Sequence, residues 1–185
     1  MKIVSAKKMQ AVVKEVMKMS NRESCCCSAD SCCSTKPITP YDKNDEWVKG
    51  EIITPKGSVP VISTNLCFKD LLGAWKVRWD INRMNYRINP GLYAVGKPDH
   101  TSPVLVSANY KLTFDVLRKE LSGLDCWILI LDTKGINVWC AAGKGTFGTD
   151  ELVNRISKTG LPEIVSHRKL VLPQLGATGV SAHEV

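Results

Sequence analysis

Short apolar runs alternate with helical patterns in the second half of this 185-residue chain. Residues 103–108 and 124–131 are apolar at nearly every position, which predicts strands buried on both faces of a sheet. Residues 113–121 and 149–158 instead repeat apolar side chains at helical spacing, and a short apolar run at 170–172 follows them. This order of strands and helices is typical of βαβ units, so the sequence predicts an α/β fold with a parallel-rich sheet.

The stretch before these elements is less regular. Residues 59–63 and 92–95 predict short strands, and residues 67–72 predict a short helix or turn. Cys67 in that turn is expected to be a small buried hydrophobe. Residues 75–79, Trp-Lys-Val-Arg-Trp, alternate apolar and charged side chains with a period of two, which predicts a half-buried strand.

The amino-terminal residues differ in composition from the rest. Residues 1–19 carry methionine and valine at helical spacing with lysines between them, which indicates an amphipathic helix or a loosely attached extension. Residues 21–43 consist mainly of Ser, Cys, Asp, Thr and Pro and have almost nothing to bury, which favours a disordered linker. The chain therefore divides into a flexible extension, residues 1–46, and a folded domain, residues 47–185.

Composition and charge limit the functional classes to which the protein can belong. The hydrophobic content of 44% is that of a globular protein, and no run approaches the ~18 apolar residues of a membrane span. The net charge is +7, but the 25 Lys and Arg residues are scattered, without a dense basic block or an RNA-binding aromatic pattern. We therefore expect no nucleic-acid partner and a solvated basic surface, with attraction to anionic partners or a membrane surface as the alternative.

The cysteines indicate a reducing compartment. Five of the eight lie in the adjacent sets 25–27 and 32–33, where neighbouring residues cannot easily pair with each other. The chain shows no signal peptide, so free or metal-bound thiols in the cytoplasm are expected. The cluster lacks the spacing of a zinc site or a bacterial ferredoxin, although thiolates do select soft metal ions.

The stretch at residues 132–150 carries the most distinctive chemistry. It follows a buried strand, where open α/β sheets bind ligands, and it presents Cys140 between Trp139 and a series of alanines and glycines. Three interpretations of Cys140 are open: a core cysteine, a nucleophile or a metal ligand. The small residues that follow it suit a wide, flat ligand, whereas the sequence shows no base adjacent to the cysteine.

A phosphate-binding loop does not fit this stretch. Residues 143–146, Gly-Lys-Gly-Thr, resemble the end of a P-loop. That pattern needs a glycine where this chain has Val138, and Ser or Thr where it has Gly145. The Lys144 ammonium is then either solvated or directed at a polar group of another ligand.

The run Asn-Val-Trp-Cys-Ala-Ala-Gly-Lys at residues 137–144 resembles the cap-helix signature of the mercury-methylating corrinoid proteins, the HgcA family. Four neighbouring segments are similar to the same family: residues 90–96, 102–111, 131–136 and 145–152. The resemblance covers roughly residues 59–185. In the related large subunit of the corrinoid iron–sulfur protein, the end of the motif is similar but the cysteine is replaced, so Cys140 is the discriminating residue.

The resemblance implies a Rossmann-like domain that binds cobalamin or a related corrinoid, with Cys140 as the lower axial ligand of cobalt. A thiolate trans to a methyl group donates electron density, which favours transfer of a carbanion-like methyl group. Hg(II), a soft electrophile, would be the acceptor and methylmercury the product. The residues implied to contact the corrinoid are Asn109, Asn137, Val138, Trp139, Cys140, Ala141, Ala142, Gly143, Lys144, Gly145 and Thr146.

The resemblance also implies partners. These are a ferredoxin-type protein with two 4Fe–4S clusters as reductant, and a methyl-donor protein of one-carbon metabolism. Members of the family sit at the cytoplasmic face of the inner membrane through transmembrane helices that this sequence does not show, so either a truncated soluble domain or an unusually short member of the family is expected. Two other functions stay open: a corrinoid methyl carrier of the acetyl-CoA pathway, and a soft-metal-binding protein that uses cysteines 25–33.

Overall fold

The computed structural model describes residues 45–79, 81, 85–181 and 185. The predicted amino-terminal helix, the linker at 21–43 and the cysteine cluster at 25–33 lie outside the described residues. Their predicted roles, including the soft-metal function, therefore stay predictions. None of the helices within the described ranges is long and apolar enough to cross a membrane.

Within the described residues, one six-stranded sheet forms the centre of the domain, with the strand order β1-β2-β3-β5-β4-β6. Its strands are β1 (Val48–Thr54), β2 (Gly57–Ile62), β3 (Gly91–Val95), β4 (Val104–Ala108), β5 (Cys126–Leu131) and β6 (Leu170–Val171). Three of the five strand pairs are parallel, namely β2–β3, β4–β5 and β4–β6. The predicted α/β fold with a parallel-rich sheet is thus confirmed.

Two strand pairs are antiparallel, which the βαβ pattern did not predict. β1 and β2 form a hairpin, and β3 runs antiparallel to β5, with Gly91 opposite Ile130. Because β3 is reversed, its amino end lies at the same edge of the sheet as the carboxyl end of β5. β1 itself was not predicted, because its sequence, Val-Lys-Gly-Glu-Ile-Ile-Thr, is neither uniformly apolar nor alternating, as befits a strand at the exposed edge of the sheet.

Five α-helices accompany these strands in the described part of the chain. They are α1 (Phe68–Arg78), α2 (Lys111–Glu120), α3 (Val138–Gly143), α4 (Thr149–Thr159) and α5 (Gln174–Ala177). A short 3-10 helix, Leu161–Glu163, follows α4. The predicted helices at 113–121 and 149–158 correspond to α2 and α4.

The two faces of the sheet are covered by different helices, and β5 shows how its sequence divides between them. Trp127, Leu129 and Leu131 point to the face that packs against α3 and α4. Cys126, Ile128 and Ile130 point to the other face, where α2 packs. Every residue of β5 is buried, which explains why the run is apolar without alternation.

The strand predicted at residues 75–79 is wrong, because these residues form the end of helix α1 and its cap. Trp75 and Trp79 are four residues apart, so on a helix they share one side, while Val77 lies on the opposite side and is 3% exposed. Five residues are too few to separate this arrangement from a period of two. The prediction that Cys67 is buried is also wrong: it is half-buried before α1, with its sulfur 3.5 Å from a Glu46 carboxylate oxygen.

Candidate functional site

The candidate site is built on α3, the short helix that follows β5 at the carboxyl edge of the sheet. Its first turn is capped by Asn137, whose Oδ1 accepts a hydrogen bond of 2.9 Å from the backbone N–H of Cys140. This cap satisfies one of the N–H groups that a helix start leaves without an intrahelical partner. Asn137 thus fixes the backbone of Cys140 rather than presenting its amide to solvent.

The loop that leads into α3 is held by Asn109, which directly follows β4. Asn109 is 2% exposed, and its Oδ1 accepts from the backbone N–H groups of Thr133 (3.1 Å) and Gly135 (2.9 Å) and from the Thr133 hydroxyl (2.9 Å). Its Nδ2 donates to Asp132 Oδ1 at 3.2 Å. Asn109 therefore connects the ends of β4 and β5. Its predicted contact with a corrinoid stays a prediction.

A second side chain supports the same loop from α4. Glu151 Oε1 accepts from the backbone N–H of Asp132 at 2.9 Å and pairs with the Arg155 guanidinium at 2.7 Å. No motif in the sequence points to Thr133, Glu151 or Arg155. The position of Asn109 and Asp132 immediately after two buried strands was the available signal, because the carboxyl ends of neighbouring parallel strands meet at one edge.

The side chains of α3 divide between core and surface. Val138 and Ala141 are 4% and 0% exposed and pack into the apolar cluster beneath the helix. Trp139 is 49% exposed, Cys140 is half-buried, and a Cβ added to Gly143 would meet no atom within 4 Å. Cys140 and Gly143 are three residues apart, so they lie on the same outward side of the helix.

Hydrogen bonds and packing also fix the carboxyl end of α3. The carbonyl of Ala141 accepts from the backbone N–H groups of Thr146 (2.9 Å) and Phe147 (3.1 Å), and the Phe147 ring is completely buried. Helix α5 approaches closely here, because a Cβ on Gly176 would come within 2.6 Å of that ring and 2.9 Å of Val138. The helix that carries Cys140 is therefore supported by α5.

The predicted corrinoid-contacting residues thus form two groups. Trp139, Cys140, Ala142, Gly143, Lys144, Gly145 and Thr146 are exposed or half-buried at this edge. Asn109, Asn137, Val138 and Ala141 are buried and have structural partners in the protein. Ligand contact stays a prediction for both groups, but only the first presents side chains or open backbone to a ligand.

The histidines in the described residues do not form a nucleophilic pair with Cys140. The His167 ring nitrogen Nε2 lies 2.9 Å from the carbonyl of Ser102, and His100 is close by, since its carbonyl accepts from Ser166 at 2.8 Å. Ser102 precedes β4 and therefore lies at the amino edge of the sheet, whereas Cys140 follows the carboxyl edge. The nucleophile interpretation therefore has no support among the described side chains. Cys140 packs in part against the apolar cluster beneath α3, so its interpretations as a core cysteine and as a metal ligand both stay open, and metal ligation stays a prediction.

The donor set and shape of this surface fit a flat cofactor that coordinates through a metal. Cys140 offers a sulfur, which soft or borderline metal centres accept, on a helix whose position is fixed at both ends. The neighbouring Gly143 has no side chain and faces open space, so a wide planar group can approach the backbone there. Cys126, in contrast, is buried in β5, and burial raises the pKa of its thiol to about 12.

Comparison with known proteins places this site in a family. The model of the CO dehydrogenase/acetyl-CoA synthase delta subunit family matches residues 79–184, which is more than half of the chain. This range includes the loop, α3 and the elements that support them.

Several curated relatives match part of the chain. The gamma subunit of the acetyl-CoA decarbonylase/synthase complex of Methanopyrus kandleri is 39% identical over 88 residues, covering 46% of this chain and 19% of the relative. The same subunit of Methanocaldococcus jannaschii is 37% identical over 93 residues, covering 49% and 19%. That of Archaeoglobus fulgidus is 33% identical over 97 residues, covering 51% and 21%. The chain spans about a fifth of the length of these relatives.

Proposed function

Because the chain belongs to the CO dehydrogenase/acetyl-CoA synthase delta subunit family, we propose that it is the corrinoid-binding domain of a methyl-transfer protein. The observation that carries this proposal is the placement of Cys140. Cys140 is half-buried, packs with part of its surface against the apolar cluster beneath α3, and lies one turn from the open Gly143, at the edge of the sheet where α/β proteins bind ligands.

In this proposal Cys140 would hold the corrinoid by coordinating its cobalt through the sulfur. A cysteine binds metal as the thiolate, so binding releases the proton of the Cys140 thiol. Trp139, Gly143 and the cap residue Lys144 are exposed and are the residues that would contact the ring and its polar substituents. When bound, the corrinoid supplies a cobalt centre that carries a methyl group to an acceptor.

The remaining residues of the site keep the sulfur in place. Asn137 holds the first turn of α3 through the Cys140 N–H, and the buried Ala141, the next residue along the helix, anchors α3 in the core. Asn109 fixes the loop that determines where the helix begins. A thiolate in a defined position donates electron density to the metal, and this donation favours release of the methyl group to an electrophile.

Two acceptors follow from different observations. The cysteine within the run at residues 137–144 favours Hg(II), because this residue distinguishes the mercury-methylating family in the resemblance described above. The family match and the relatives, which are named as subunits of an acetyl-CoA decarbonylase/synthase complex, favour a methyl carrier of the acetyl-CoA pathway more directly. We propose the corrinoid methyl-transfer role as the common function, with Hg(II) as the acceptor favoured by Cys140 alone.

Protein partners are part of the same proposal. Cobalt must be returned to a reduced state, for which we propose a ferredoxin-type protein with two 4Fe–4S clusters. The methyl group would come from a methyl-donor protein of one-carbon metabolism. Attachment to the membrane through transmembrane helices outside this chain is likewise proposed from the resemblance.

The test uses the full chain reconstituted anaerobically with cobalamin, compared with Cys140→Thr and with Cys67→Ser as a matched control. We expect Cys140→Thr to retain corrinoid but lose the thiolate features of the visible spectrum, because the cobalt–sulfur bond is removed while a small side chain remains. Cys67→Ser should be indistinguishable from the wild type. A Cys140→Thr spectrum identical to that of the wild type would reject cobalt ligation.

The acceptor is tested in a single turnover of methylated protein. Formation of methylmercury from a Hg(II)–thiol complex, lost in Cys140→Thr, supports the Hg(II) assignment. A protein that shows the thiolate spectrum but transfers its methyl group to an acetyl-CoA synthase and not to Hg(II) supports the methyl-carrier assignment instead.

A further inference from the structure

Helix α1 presents its apolar side to solvent. Phe68 is 73% exposed, Leu71 55%, Trp75 57% and Trp79 68%, and Leu72 adds to the same surface at 40%. Their spacing of three and four residues places all five on one side of the helix, and the Trp75 and Trp79 rings lie 5.9 Å apart. We call this surface the α1 aromatic face.

Buried ion pairs hold the opposite side of α1 against α2. Asp70 is 7% exposed and binds the fully buried Arg118 guanidinium at 2.5 Å and the Lys111 ammonium at 2.8 Å. Asp115 of α2 pairs with the same two cations. Rotating α1 to bury its aromatic side chains would remove Asp70 from Arg118 and leave an uncompensated buried charge, which is strongly unfavourable.

Further contacts reinforce this orientation. The Arg118 guanidinium also donates to the backbone carbonyls of Ser63 (2.7 Å) and Asn65 (2.8 Å), which precede α1. Val77 packs against Tyr110 and Leu112 at the start of α2. The exposure of the α1 aromatic face is therefore built into the packing of the domain, and a contiguous exposed apolar surface of this kind marks an interaction site.

Among the described residues, basic side chains lie on both flanks of the α1 aromatic face, while the lysine at its amino end is paired with an acidic residue. Lys76 and Arg78 are exposed on its two flanks, and Lys69 lies at its amino end beside Glu46. The acidic residue of the helix, Asp70, is the one that is buried. The exposed part of α1 thus combines tryptophan, phenylalanine and leucine with cationic side chains.

We propose that the α1 aromatic face docks on an anionic phospholipid surface. Tryptophan and leucine on one side of a helix with lysine and arginine at its edges are typical of helices that lie in the membrane interface. Juxtamembrane basic residues are attracted to anionic lipid headgroups. The 11 residues of α1 are far fewer than the ~20 needed to span a bilayer, so the helix would lie in the plane of the surface.

A second copy of the chain fits this surface less well. Eleven helical residues extend over roughly 16 Å, and one side of so short a helix is smaller than the ~800 Å² per partner of a standard protein interface. The basic flanks of two copies would also repel each other. Both considerations favour a lipid surface, which needs no matching protein partner of defined shape.

The experiment measures co-sedimentation of the full chain with vesicles of phosphatidylcholine alone or with one-third phosphatidylglycerol. The proposal predicts binding to the anionic vesicles, weakened by high salt. The double variant Trp75→Ser/Trp79→Ser should lower the partition coefficient at least tenfold. The matched control is Ile53→Ser/Val153→Ser, which removes two exposed apolar side chains from β1 and α4 and should bind as the wild type does.

Two further measurements separate a loss of folding from a loss of vesicle binding. Circular dichroism spectra of the variants report whether they fold, and Lys76→Glu/Arg78→Glu provides a second loss-of-binding variant that leaves the tryptophans in place. Equal vesicle binding by the wild type and both α1 variants would overturn the proposal. So would an absence of vesicle binding combined with a concentration-dependent dimer that Trp75→Ser/Trp79→Ser abolishes, because the face would then bind a second copy.

Discussion

The loop in front of Cys140 gives the sharpest test of how the site is built, through replacement of Asn109 by alanine. The substitution removes one acceptor oxygen from three donors and one donor from Asp132. Some of these groups keep another hydrogen bond after the substitution, so the loss differs between them. The Thr133 N–H also donates to the Leu131 carbonyl, and the Thr133 hydroxyl also lies 2.7 Å from the Ile136 carbonyl.

Most of the lost stability should come from the Gly135 N–H, because the Asn109 side chain is its acceptor in the structure. A backbone donor left without a partner costs about 1–3 kcal/mol, and the weakened bonds of Thr133 and Asp132 add about 1 kcal/mol. We therefore expect Asn109→Ala to lower the free energy of unfolding by roughly 2–4 kcal/mol. Corrinoid binding should weaken as well, since the loop that positions α3 loses its support.

Urea unfolding followed by circular dichroism measures this change, with an unchanged m-value as the sign of an intact native state. Asn154→Ala is the matched control, because Asn154 is exposed on α4 and its loss should stay within about 0.5 kcal/mol. Asn109→Asp keeps the acceptor oxygens but sets a carboxylate beside that of Asp132, so it should be destabilised more at pH 7 than at pH 4. A loss below 1 kcal/mol for Asn109→Ala would refute the positioning role.

Three further outcomes are expected. Arg118→Met should cost about 3–5 kcal/mol in urea unfolding, because it leaves two buried carboxylates without their guanidinium partner, and a loss near zero would contradict the ion-pair account. The Thr101 hydroxyl and N–H and the Ser102 hydroxyl donate to Asp99 and lower the pKa of its carboxyl to about 2. The contribution of Asp99 to stability should therefore be present above the ordinary carboxyl pKa and be lost as the pH falls towards 2. Carboxyl NMR should show that Thr101→Val raises the pKa of Asp99. Cys126 should resist alkylation at pH 8 until the protein unfolds, whereas Cys140 reacts in the native state, as mass spectrometry of the alkylated peptides would show.

The sequence alone was sufficient to predict the elements that are buried on all sides. β4 and β5 are apolar at each position because helices cover both faces of the sheet, so no knowledge of their neighbours was needed to recognise them. It also located the candidate site, since Cys140 and the small residues after it follow a buried strand. The local pattern was sufficient wherever the burial of a segment is uniform.

Helix α1 shows where the local pattern failed. Its inward side carries Asp70 and its outward side carries two tryptophans, the reverse of an ordinary amphipathic helix. The positions of Lys111 and Arg118 on α2, 41 and 48 residues later, make the carboxylate the buried group. Such a reversal depends on a partner that is distant in the sequence, so neither periodicity nor composition can predict it.

The direction of β3 and the role of Asn109 were decided by tertiary structure for the same reason. Strand direction within a sheet depends on which strand pairs with which, and the residues of β3 are equally apolar in either orientation. Asn109 looks like a ligand-binding side chain in the sequence, but the reach of its amide to Thr133 and Gly135 exists only after β4 and β5 are paired in register. The sequence by itself located the segment that carries the candidate site. The fold decided which of its residues are exposed and which distant residues support it, because both depend on how the elements pack against one another.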